Sequence, residues 1–89
     1  MKHADKLEIL AERRVLLQKI KHELEIKLPK AGFNIKRVMV AGGVITIDTL
    51  RKHEKALGEI MTQAGFTCIY ADKIVHLDGY KGFRMRFRI

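Results

Sequence analysis

Gly82-Phe83-Arg84-Met85-Arg86-Phe87-Arg88-Ile89 closes the chain. From Phe83 onward, apolar residues and arginines alternate without a break. Successive strand side chains point to opposite faces, so the segment reads as a half-buried β-strand. One face joins a core through Phe83, Met85, Phe87 and Ile89, and the other carries three arginines. The rest of the chain must cover the first face and leave the second open.

Residues 4–28 supply a long cover. Leu10, Leu17 and Leu24 recur every seven residues, with Ile9, Leu16, Ile20 and Leu28 beside them, a helical stripe that Pro29 and Gly32 should end. At ~1.5 Å per residue this helix is about 37 Å long, more than a sheet of short strands covers. Either the stripe packs wholly on the chain's own sheet or part of it meets a second copy, with Leu10, Leu17 and Leu24 as the dimer contact.

Between the helix and the closing strand lie two β-rich runs, Ile35 to Val40 and Val44 to Asp48, parted by Ala41-Gly42-Gly43 in the manner of a hairpin. Asp48 or Thr49 is then expected to cap a second helix at 49–64, with Leu50, Leu57, Ile60, Met61 and Ala64 inward and Arg51, Lys52, Glu54, Lys55 and Glu59 outward. Ala31-Gly32-Phe33 recurs as Ala64-Gly65-Phe66, each at a helix end, and Val44–Asp48 (V-I-T-I-D) is echoed by Ile74–Asp78 (I-V-H-L-D). Asp72-Lys73 reads as a turn or bulge and Asp78-Gly79 as the start of a loop. The fold class is therefore α+β: one domain over residues 1–89, two helices on one face of an antiparallel sheet, with an αββ-αββ repeat and an additional C-terminal strand over 66–89.

Charge is concentrated where the arginines are. Of the formal +8, half falls in residues 79–89, which hold Lys81, Arg84, Arg86 and Arg88 and no acid. Such a field attracts nucleic acid, acidic proteins or anionic membrane. One cysteine forms no internal disulfide, the first residues lack the apolar core of a secretory signal, and no run approaches the ~18 apolar residues of a membrane span. A cytoplasmic protein without membrane partners is the expectation.

Chemistry-bearing motifs are few. His3, His22, His53 and His76 lack ligand spacing, so no metal or cofactor is expected. His53, between Leu50 and Leu57, should sit at the core's edge with a backbone partner. Asp48 and Asp78, each after a strand, read as a cap and a turn residue rather than a metal pair. There is no serine, Gly42-Gly43 lacks the lysine and helix of a phosphate loop, and Cys68 in mid-strand lacks the exposed setting of a reactive thiol. An enzyme is not expected.

Lys81-Gly82-Phe83 with Phe87 resembles the start of the RNP1 motif of RNA-recognition motifs. Arg84 and Met85 then depart from it, and a helix-first order differs from βαββαβ, so the chain is not assigned to that family. Phe83 and Phe87 should lie under the sheet rather than on it. The reading that remains is a small basic module contacting nucleic-acid phosphates through Arg84, Arg86 and Arg88, joined by Lys81, Arg37 and Lys36, mainly by backbone contacts. On that reading the three arginines are equivalent and exposed, and replacing all three by Gln should leave stability nearly unchanged. The alternatives are a protein-binding regulator, of the compact kind carried by phages and mobile elements, that docks on an acidic partner or on a nucleic-acid-binding protein, and an edge strand guarded by charge against aggregation.

Overall fold

The computed structural model describes residues 2–75, 78–79 and 81–88, with side chains described from Val15 onward. Its elements are α1 (Lys2–Lys30), β1 (Ile35–Ala41), β2 (Val44–Thr49), α2 (Glu54–Gln63), β3 (Thr67–Val75) and β4 (Lys81–Arg88). The strands form one antiparallel sheet in the order β1-β2-β4-β3, so the closing strand is central. No helix among the described residues is long and apolar enough to cross a membrane.

Register fixes which side chains share a face. Val38 is opposite Ile47 and Ile47 opposite Met85, while Ile45 is opposite Phe87. These five residues pack in one cluster with Leu17 and Leu28 of α1 and Leu57 and Met61 of α2. Both helices therefore lie on the Phe83–Phe87 side of the sheet, and the arginine side carries neither. The α+β layer architecture is as the alternation implied.

Both helices end in the same way. Gly32 and Gly65 each take φ +94, and the N–H groups of Phe33 and Phe66 donate to the carbonyls of Leu28 (3.1 Å) and Met61 (2.9 Å). This six-to-one bond, closed by a left-handed glycine, satisfies a helix-end carbonyl and turns each Phe back onto the core. Phe33 and Phe66 are both half-buried against it. The strand order also reads the same when the two helix-hairpin units are exchanged. Residue for residue, however, the expected pairing of Val44–Asp48 with Ile74–Asp78 fails. Ile74 and Val75 end β3, and β4 stands in the place of β2, so the C-terminal strand is the fourth strand and not an additional one.

Three further expectations shift. Helix α1 runs through Pro29 to Lys30, and the stop is Gly32. Leu17 is buried and Leu24 half-buried against the chain's own core, while Val15, Leu16 and Ile26 of the same helix are exposed; the side chain of Leu10 lies outside those described. Asp72-Lys73 continues β3 without a turn, and the bulge falls earlier, between Cys68 and Tyr70. Cys68 is exposed rather than screened, because β3 is an edge strand.

Candidate functional site

Helix α2 begins at Glu54, five residues later than expected, and this places Asp48. The β1–β2 ladder continues past Asp48, with the Leu50 N–H donating to the Asn34 carbonyl at 2.8 Å, so the chain is still extended where a cap was expected. Leu50 is accordingly exposed rather than on an inward stripe, and Ile60 is exposed as well. The residue preceding α2 is His53, which makes no side-chain cap bond. Its Nε2 instead accepts the Asn34 N–H at 3.1 Å, and its ring meets Phe33 edge-on at 5.0 Å, the core-edge role with a backbone partner read from sequence.

Asp48 is thus a strand residue on the helix-free face, and it is fully buried. Its immediate neighbours in register are Arg37 on β1 and Arg84 on β4. Arg84 donates from Nε to Oδ1 at 2.8 Å and from Nη2 to Oδ2 at 3.0 Å, and Arg37 donates from Nε to Oδ2 at 3.0 Å. Burial alone would raise the Asp48 pKa, but the hydrogen bonds from Arg84 and Arg37 outweigh it and hold the carboxyl below its ordinary 3.8. The same hydrogen bond raises the Arg84 pKa above its ordinary value. Asp72 completes the row, directly opposite Arg84 on β3. Along Arg37-Asp48-Arg84-Asp72, two cations meet two anions, and the row is neutral.

The next two rows differ. Met39, Thr46, Arg86 and Tyr70 lie side by side in register, followed by Ala41, Val44, Arg88 and Thr67. They contain two arginines and no acid. Arg86 and Arg88 are both exposed, and among the described residues neither is ion-paired with a carboxylate. Thr46 is buried between the long side chains of Met39 and Arg86. The guanidinium carbon of Arg86 lies 5.5 Å from the centroid of the Tyr70 ring, within cation–π range.

The sequence-derived binding residues therefore separate. Arg86 and Arg88 form an open pair. Arg84 is not equivalent to them, because it is three-quarters covered and held by Asp48; the expectation of three interchangeable arginines fails for that reason. Arg37 is half-exposed but shares the same carboxylate. Lys36 is paired with Asp78 at 2.9 Å. Lys81 has the parity of Phe83 and so leaves β4 on the helix-bearing side, away from the arginines. His76 lies outside the described residues. Phe83 and Phe87 lie under the sheet as anticipated, Phe87 fully buried. Two residues of the helix-free face escaped the sequence reading, Asp48 as an ion-pair hub and Tyr70 as the exposed aromatic. No protein-family model, curated protein or solved structure matches the chain.

Proposed function

We propose that this chain is a nucleic-acid-binding module whose helix-free sheet face contacts phosphates through Arg86 and Arg88. The carrying observation is that these two guanidiniums are exposed two residues apart on a central strand, in two rows of the sheet that hold no acid. Guanidinium donors match phosphate oxygens bidentately, and the antiparallel sheet leaves this face without a helix above it. The neutral row through Asp48 stiffens the floor on which they stand and contributes little net charge.

Fluorescence anisotropy with labelled single-stranded and duplex oligonucleotides at ~50 mM salt tests the reading. Binding should weaken as salt rises. If each arginine neutralises one phosphate, Arg86→Gln with Arg88→Gln should reduce the magnitude of d log K/d log[salt] by about 1.8 on duplex DNA or about 1.4 on a single strand. Lack of salt-sensitive binding to any DNA or RNA removes the proposal, as does a double variant that binds like the parent. Binding to an acidic polypeptide alone would instead favour the protein-partner alternative.

A further inference from the structure

The bulge in β3 decides which residue stands beside Arg86. Cys68 is opposite Phe87, so an unbroken ladder would set Ile69 opposite Arg86 and Tyr70 opposite Met85, beneath the sheet. Instead the register shifts by one residue, Tyr70 is opposite Arg86, and Ala71 takes the place beside Met85. Ile69, the extra residue, is left 47% exposed on the edge. A β-bulge re-aims side chains in this way, and here it lifts an aromatic ring onto the arginine face. Tyr70 remains exposed there, next to a guanidinium.

The geometry points to single-stranded nucleic acid as the ligand of this face, with Tyr70 and Arg86 receiving a base while Arg86 and Arg88 hold the backbone; this rests on the phosphate-binding reading above. A bare polyanion or an acidic peptide needs cations alone and gains nothing from an exposed ring. A duplex presents phosphates but keeps its base faces stacked inside. Only an unpaired strand offers a π-face and a phosphate within one nucleotide repeat, and aromatic rings beside cations on a sheet are suited to both. The phenolic ring is sequence-tolerant, because every base has a π-face, so little base selectivity is expected.

The test uses the full chain with 15-nucleotide dT and rU oligomers and a 15-base-pair duplex at one salt concentration. The parent should bind the single strands more tightly than the duplex. Tyr70→Ala should weaken single-strand binding about five- to a hundredfold and leave duplex binding within about twofold, whereas Tyr70→Phe, which keeps the ring, should stay within about threefold of the parent. The chain has two tyrosines and no tryptophan, so tyrosine emission should be quenched on adding dT or rU, and Tyr70→Phe should lose most of that quenching. A circular-dichroism melt confirms that the variants fold, and the Phe variant keeps the test decisive if the Ala variant does not. Equal or tighter duplex binding overturns the inference. So does unchanged single-strand binding by Tyr70→Ala while Arg86→Gln with Arg88→Gln still reduces the salt slope, in which case phosphate binding stands without stacking. If the arginine pair is also without effect, both readings fall together.

Discussion

The two ends of the β4 arginine row began as the same residue type at the same spacing and finish in different surroundings. Arg84 stands in a row of alternating charge and is held by a buried carboxylate, whereas Arg86 lies between Thr46 and Tyr70 and Arg88 between Val44 and Thr67. Alternation within one strand assigns side chains to a face. It says nothing of what the adjoining strands place beside them. The contrast teaches that an arginine's availability is decided across the sheet, by register, rather than along the strand.

Removing the shared acid should break this contrast most severely. Asp48→Ala leaves Arg37 and Arg84 facing each other over a vacated site, with Arg84 mostly covered. Deleting one partner of a buried ionic cluster costs on the order of 3–5 kcal/mol, and the half-exposure of Arg37 places the expectation near the lower end. For a domain of this size about 3 kcal/mol lowers Tm by more than ~12 °C. Arg84→Gln, which leaves the carboxylate to Arg37 alone, should cost less, about 1.5–3 kcal/mol. Urea unfolding of both variants checks the order, and an Asp48→Ala protein as stable as the parent would mean the cluster is not what secures this row.

Acid should sharpen the contrast by switching off one end only. Because the folded-state pKa of Asp48 is depressed below 3.8, its contribution is fully present above that value. It is lost as pH falls from there through the folded-state value, where the unfolded chain takes up the proton first. The parent should therefore lose Tm relative to Asp48→Asn as pH is lowered from 5 towards 2, and the two acid limbs should converge. Parallel limbs would show that Asp48 does not titrate as part of the cluster. Arg86→Gln should leave the parent's acid limb unchanged in shape.

Much of this arrangement was legible in the sequence. The period-two run at the C-terminus, the glycine-ended helices and the Gly42-Gly43 turn, where φ of +59 and +75 favours glycine, lead to two helices under an antiparallel sheet. The roles of Asp48 and Tyr70 were hidden for different physical reasons. A carboxylate after V-I-T-I looks like a cap because local preference favours one, and only the strand pairing that keeps the chain extended through Leu50 decides otherwise. Tyr70 changes face because of a single bulge residue, and a one-residue slip inverts every later side chain. Pairing partners and bulges are properties of two strands at once, so neither is written in one.

The smallest effect is expected at the far end of the row, and it closes the comparison. Arg88 is exposed, its register neighbours Val44 and Thr67 carry no charge, and Arg86 two residues away is a like charge on the same face. Arg88→Gln should therefore change unfolding free energy by no more than ~0.5 kcal/mol, with relief of repulsion from Arg86 opposing the lost side-chain packing. Along a strand rising about 3.3 Å per residue, Arg84 and Arg88 are roughly 13 Å apart, beyond the range at which substitutions without shared partners couple. The Arg84→Gln and Arg88→Gln effects on stability should then add within about 0.5 kcal/mol. Urea titration of the two single variants and the double variant measures this directly. A coupling well above that figure would mean that the two ends of the row share a partner, and the division between a carboxylate-held arginine and an open pair would have to be redrawn.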